Sequence, residues 1–247
     1  MPAPTLPFYT RAMHLLTRLE RAETRHLTLY GGEVAAFGAV RAVYAGPEVP
    51  INVAAGFEDA PEAPLDELEA FYAARGLPAR LLLYSQAHAE LLARLAARGY
   101  HLARVLHAYA RPLDQAPAAP TLTVRRVPGE VWAPVAARAF GPGNEAIMEL
   151  TARRTVTRLY LASMAEEGLG VAALSVLDGV AILHGAATLP EARRRGAQAA
   201  LIAARLRDAA AAGAEVASVL TTPGSASERN VRRAGFGLAG ARLSFER

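Results

Sequence analysis

Thr188-Leu189-Pro190-Glu191-Ala192-Arg193-Arg194-Arg195-Gly196-Ala197-Gln198-Ala199-Ala200-Leu201 joins an apolar run to an amphipathic one. Upstream, Val180 to Thr188 has strand character. Downstream, Ala197 to Ala212 has helical periodicity and is stopped by Gly213. Three arginines before a glycine at such a turn gather guanidinium charge, free backbone N–H groups and the positive end of a helix dipole into one small volume. That volume suits a pyrophosphate. Gly196 lets the backbone approach an anion with no Cβ in the way, and Ala197, Ala199 and Ala200 keep the first helical turn open. A solvated basic turn can have the same composition, so the surroundings decide.

Outward from this stretch the second half reads as a regular series of elements. Thr121 to Val127 alternates like an edge strand, helices follow at Gly129 to Phe140 and Glu145 to Val156, and Leu159 to Met164 and Val171 to Leu177 are strands. Asp178-Gly179 makes a hairpin with Val180 to Thr188. Past the long helix come a buried strand at Ala214 to Thr221, a short helix opened by Ser225-Ala226-Ser227-Glu228 with capping-box spacing, and a last strand at Phe236 to Phe245. Asp114 to Pro120, rich in proline and alanine, is the expected seam. It divides the chain into a domain at 1–113, a linker at 114–120 and a domain at 121–247.

The first half ends in the same order as the second. Glu33 to Tyr44 and Val49 to Gly56 read as a strand pair, Leu65 to Ala74 as a helix closed by Gly76, and Leu81 to Tyr84 as a strand. Ser85 is placed to cap a helix running to Arg98, and a strand follows from Tyr100 to about Arg111. The repetition of strand, helix, strand, helix, strand points to a duplicated or fused pair of domains.

The spacing of Pro190, Arg193 and Gly196 between strand and helix resembles the coenzyme A pyrophosphate loop of the GNAT acetyltransferases. The resemblance spans about Leu159 to the C-terminus and takes in the late helix and Gly235-Phe236. It implies an α/β (α+β) fold, with a mixed, largely antiparallel sheet flanked by helices, in two related domains in tandem. It also implies acetyl-CoA (coenzyme A) as cosubstrate without a metal, and direct attack of a primary amine on the thioester in a ternary complex. The acceptor would be a small-molecule amine or a protein amino group.

By that resemblance Ala186, Ala187 and Thr188 line the pantetheine arm on a strand that splays from its neighbour. Arg193, Arg194, Arg195, Gly196, Ala197 and Gln198 hold the pyrophosphate, and Asn230 meets coenzyme A or its thiolate. Two departures stand out. Gln198 occupies a position usually glycine or alanine, and Val231 replaces a tyrosine often found four residues before the Gly-Phe pair, where it protonates the leaving thiolate. Ser225 and Ser227 open the same helix and serve either as caps or beside the thiolate. A backbone N–H near Thr188 or Leu189 would polarise the thioester. His184 is the candidate base, and Glu145, with Glu149, candidate acceptor-site carboxylates with a catalytic role open to Glu145; each has an ordinary structural role as its alternative, and water can serve as base instead.

In the first half the equivalent loop is Phe57-Glu58-Asp59-Ala60-Pro61-Glu62-Ala63-Pro64, whose carboxylates suit a helix N-terminus and repel a pyrophosphate. That half is expected to be degenerate, to support the second, and to wall its acceptor pocket. Asn52 and Gly56 are its notable residues, each explained by a buried amide or a tight turn.

Composition narrows the classes. The 247 residues are 52% hydrophobic and 20% charged, enough to build a sizeable core. Cysteine is absent, which removes disulfides, zinc thiolates and an acyl-cysteine intermediate. All 27 basic residues are arginine and the net charge is +4. Acidic residues are interspersed with them and no aromatic-interleaved basic stripe occurs, so nucleic acid is not the expected partner. The Asp178-Gly179 break argues against a membrane span, and Arg11 and Arg18 against a signal peptide. A cytoplasmic enzyme, with a homodimer open, is the expectation; a catalytically inactive coenzyme A-binding regulatory protein is the alternative.

Overall fold

The computed structural model describes residues 8–114, 122–165 and 167–247. The expected linker lies outside the described residues apart from Asp114. In the first half, α1 (Phe8–Thr28) precedes β1 (Glu33–Phe37), β2 (Val40–Tyr44), β3 (Val53–Ala55), α2 (Leu65–Ala73), β4 (Arg80–Tyr84), α3 (Ala89–Ala97) and β5 (His101–Pro112). The second half runs β6 (Thr123–Arg126), α4 (Gly129–Phe140), α5 (Glu145–Arg153), β7 (Thr157–Met164), β8 (Glu167–Leu177) and β9 (Val180–Thr188). A 3-10 turn at Pro190–Ala192 then leads to α6 (Ala197–Ala211), β10 (Val216–Thr221), α7 (Ala226–Arg233) and β11 (Gly237–Glu246).

The local signals act as their chemistry dictates. Asp178 and Gly179 both take positive φ, the backbone of a tight hairpin whose twist matches its strands. Beyond α6, Gly213 sits at φ 78 while Ala214 N–H bonds back to Ala209 C=O at 3.0 Å, closing the helix end. Ser225 Oγ accepts the Glu228 N–H at 3.1 Å and so caps α7. Two expectations are corrected. Glu33 to Tyr44 is itself a hairpin folded at Gly38, with β3 as a third strand. Ser85 caps nothing; its Oγ accepts the Ala241 N–H of β11, and His88 stands at the start of α3. The long α1 has no counterpart in the sequence expectations.

All strands join one 11-stranded sheet in the order β1-β2-β3-β4-β11-β5-β10-β9-β8-β7-β6. The terminal strand of each half is exchanged: β5 runs antiparallel to β10, and β11 antiparallel to β4. These two strands also pair with each other at the centre. Among the described residues only β3–β4 and β9–β10 are parallel, one such joint in each half. The β9–β10 register lasts from Val180↔Val216 to Ile182↔Ser218. Beyond it the two strands diverge.

Side-chain alternation places helices on both faces. Tyr160, Ala162, Ala172 and Leu174 pack with α6, whereas Leu159, Leu161, Val171 and Ala173 pack with Trp132, Ala136 and Met148 of α4 and α5. Leu16, Leu19 and Ala22 of α1 meet Ala108 and Ala110 of β5, Val180 of β9 and Val216 of β10, so this helix ties the halves together. No helix of the described residues is long and apolar enough to cross a membrane.

Candidate functional site

The gap between β9 and β10 begins where β9 loses register with β8. His184 pairs with Ala173 and Ala187 with Val171, which leaves Gly185 and Ala186 opposite Ala172 as a bulge. Gly185 takes φ 52 there, and Trp132 Nε1–H takes the Ala172 carbonyl at 3.0 Å. Farther on, Leu189 N–H bonds to Leu169 C=O at 3.0 Å. Antiparallel ladders alternate, so the neighbouring Thr188 turns its N–H and C=O to the other edge, toward the gap. Of the two donors expected to polarise a thioester, Leu189 is thereby committed to the sheet and Thr188 remains.

At the end of β9 the basic turn wraps the start of α6. Arg194 takes φ 67 and Gly196 φ 84, and the first helical bond runs from Ala200 N–H to Gly196 C=O at 3.1 Å. Among the described residues, the N–H groups of Ala197, Gln198 and Ala199 have no acceptor. They converge on a groove of about 640 Å³ lined by Arg193, Arg194, Arg229 and Arg233 as well as Ala187 and Thr188. No carboxylate of the described residues lines it. Arg195 departs from expectation: its guanidinium pairs with Glu167 at 3.0 Å and contacts Met164 Sδ at 3.3 Å, outside the groove. Arg229 and Arg233 were not anticipated, although their i, i+4 spacing on α7 puts both on one face.

A second cavity, of about 310 Å³, continues from the groove through shared residues Gln198, Ser227 and Asn230. Ala186 and His184 line it from β9, Val231 and Arg205 from the flanking helices, and Tyr30 from the chain just after α1. The first half thus supplies a wall of this chamber. Asn230 Oδ1 accepts from Arg233 Nη2, which orients the amide at the junction of the two spaces.

The candidate catalytic residues fare differently. Glu145 lines neither space; exposed at the start of α5, its Oε2 accepts the Gly143 N–H at 2.8 Å, and Glu149 pairs with Arg153 at 3.1 Å. Neither side chain lines the groove or the cavity. His184 does face the cavity, with Nε2 at 3.1 Å from Ser175 Oγ and its ring 4.5 Å from that of His26. Burial, then the charge environment of His26, Arg154 and Arg205, pulls its pKa well below 6.5, so the imidazole is neutral and weakly basic. Among the described residues no cluster of three or more His, Cys, Asp or Glu is arranged around a metal position.

In the first half, the corresponding place beside the β3–β4 joint is filled by carboxylates. Arg21 bonds Glu58 at 3.0 Å and also Asp59, while Glu20 accepts the Phe57 N–H at 3.1 Å and the Gln86 amide at 2.9 Å. Asn52 staples its own loop through Ala45 N–H and Gly46 C=O. Gly56 takes φ 94, and the Ala39 carbonyl oxygen lies only 3.0 Å from the place a Cβ would occupy. Both are structural residues.

No protein-family model and no curated protein matches this sequence. Solved structures do. A GCN5-related N-acetyltransferase from Kribbella flavida superposes with a TM-score of 0.72 at 20% identity, over 93% of this chain and 94% of that one. A GNAT-family protein from Novosphingobium aromaticivorans gives 0.59 at 18% identity over 92% and 94%. A tandem GNAT protein from the clavulanic acid biosynthesis pathway gives 0.54 at 15% identity over 72% and 66%. The fold of this chain is that of the GCN5-related N-acetyltransferases.

Proposed function

We propose that this chain is an N-acyltransferase that moves an acetyl (acyl) group from acetyl-CoA to a primary amine by direct attack in a ternary complex. The observation that supports it most is the pairing of the groove with the helix start: Arg193, Arg194, Arg229 and Arg233 surround unpaired N–H groups with no carboxylate among them. Charge-assisted bonds from guanidinium and backbone donors are the chemistry a diphosphate requires. Coenzyme A, when bound, supplies the acyl thioester. Ala186, Ala187 and Thr188 would flank its arm, with Thr188 N–H available to a carbonyl oxygen. Ser227 and Asn230 at the junction of the two spaces can donate hydrogen bonds to a leaving thiolate where Val231 offers none. Water can accept the proton released by the amine; His184, neutral but weakly basic, faces the same cavity as the other candidate. We read 1–113 and 121–247 as related domains, the first without a cofactor loop.

The test is calorimetric binding of acetyl-CoA together with thiol release over an amine panel. Binding at micromolar affinity with turnover is expected. Binding with no turnover on any amine would favour the regulatory alternative, and no binding would end both readings.

A further inference from the structure

Arg205 of α6 is 2% exposed and pairs with no carboxylate among the described residues. Its Nε donates to Leu201 C=O at 3.1 Å, and its Nη1 to Ala173 C=O at 3.3 Å and His184 C=O at 3.4 Å, two carbonyls beside the bulge. Its Nη2 has no acceptor among the described residues, and the side chain lines the 310 Å³ cavity. A second guanidinium stands behind the same wall. Arg154, 7% exposed, bonds the Leu29 and His26 carbonyls at 3.1 Å each and stacks 3.9 Å from the centre of the Tyr30 ring. It too makes no ion pair among the described residues. Burial draws Arg205 down to about 10, which leaves it charged at neutral pH.

Holding one guanidinium out of water costs several kcal/mol unless charge or well-aimed dipoles compensate it. Three carbonyls serve two of the nitrogens of Arg205, and its side chain lines a chamber whose other walls are mostly apolar, Leu183, Ile202 and Val219 among them, with Thr151, Gln198 and Asn230 as polar groups. Such a chamber is small and has no carboxylate in its lining among the described residues, so an anion entering it meets the guanidinium charge uncompensated. A side chain that served only the bulge carbonyls would give this space no preference between an acid and its amide.

Resting on the acyltransferase reading above, we propose that the acceptor amine carries a carboxylate, received by Arg205 in this chamber, and that the substrate class is a small amino acid with an apolar body. The carboxylate supplies the missing counter-charge, and the amine is left to face the gap between β9 and β10.

Matched sets differing only at the acid test this: L-leucine, L-leucinamide and 3-methylbutylamine, with the corresponding sets built on phenylalanine and 4-aminobutyrate. The acids are expected to exceed their amides and decarboxylated partners by about tenfold or more in kcat/KM. Arg205→Met should bring that ratio to within about twofold, with the acetyl-CoA Kd unchanged and part of the preference kept in Arg205→Lys. Amides or plain amines used as well as the acids by the unaltered protein would overturn the inference, as would an acid preference that survives in Arg205→Met. If Arg205→Met does not fold, the ratio in Arg205→Lys and the unaltered protein decides. If no set is acetylated, the acyltransferase reading fails separately and binding alone is judged: the acids, and not the amides, shifting the His184 imidazole resonances supports the inference, and neither doing so overturns it.

Discussion

Arg193 and Arg195 stand two positions apart in one turn, yet their guanidinium groups meet opposite surroundings. Arg193 lines the groove and forms no ion pair among the described residues; Arg195 is taken by Glu167 on β8. A shared charge therefore does not mean a shared role. Arg193→Glu should weaken acetyl-CoA binding by roughly 10- to 100-fold, the scale of one or two lost charge-assisted bonds, with the thermal midpoint nearly unmoved. Arg195→Ala should leave that affinity within about twofold and lower stability by no more than ~1 kcal/mol, as an exposed ion pair does. Calorimetry and thermal melts on the two variants check both halves of the contrast; equal loss of affinity would mean that Arg195 turns into the groove when ligand binds. The basic turn and its glycine were legible because helix starts and anions follow a local rule. Which of three adjacent arginines faces the groove was not, since that depends on a carboxylate brought by another strand. Arg205 and Tyr30 were illegible for the same reason: each reaches the chamber only through long-range packing.

At the scale of elements, strands and the later helices follow from period and punctuation, whereas α1 went unread although its signal is present. Leu16, Leu19 and Ala22 repeat at helical spacing and form the stripe that packs on β5, β9 and β10. Four arginines at 11, 18, 21 and 25 mask that stripe when the segment is judged by hydropathy alone. This helix also carries a buried acid. Glu20 is 2% exposed, and burial first, then the neighbouring Glu58, pushes its pKa up to about 8. The folded chain thus holds a proton that the unfolded chain releases near 4.5. Between those two values the unfolded state binds fewer protons, so stability falls as pH rises through this window and levels off above about 8. Glu20→Gln removes the titration and keeps the shape, and Gln86 Oε1, buried without a partner, can accept from the new amide after a flip. The expected outcome is a midpoint above that of the unaltered protein at pH 8 and a smaller difference at pH 5. Denaturant melts at both values decide it, and parallel pH profiles for the two proteins would refute the assignment.

Over the whole molecule, chain order and spatial order part company at the centre of the sheet. Reading the sequence alone gives two successive units, because each half shows its own elements; nothing local tells β5 and β11 to exchange places. Their pairing is carried by non-local contacts, β5 with β10 from His107 to Pro112 and β11 with β4 from Arg80 to Tyr84. Glu228 reinforces the exchange, since its carboxylate takes His107 Nδ1 at 2.6 Å, the Tyr109 hydroxyl at 2.9 Å and the Gly224 N–H at 2.6 Å. The bond to His107 is the main reason its pKa drops to about 2, so the carboxylate stays ionised, and able to accept all three bonds, at neutral pH. If the exchange holds the molecule together, covalent continuity at the seam is dispensable while β11 is not. A protease site placed between Asp114 and Leu122 should, after cutting, leave two fragments that comigrate on size exclusion and melt in one transition. Deleting the chain after Phe236 should by contrast unfold both halves, because β4 and β5 lose a shared partner at once and Leu83, Ala108 and Tyr109 open to water. Hydrogen exchange separates the outcomes: a deletion variant whose first half keeps protected amides in β1 to β4 would show that each half closes its own sheet, and that the exchanged strands only decorate it.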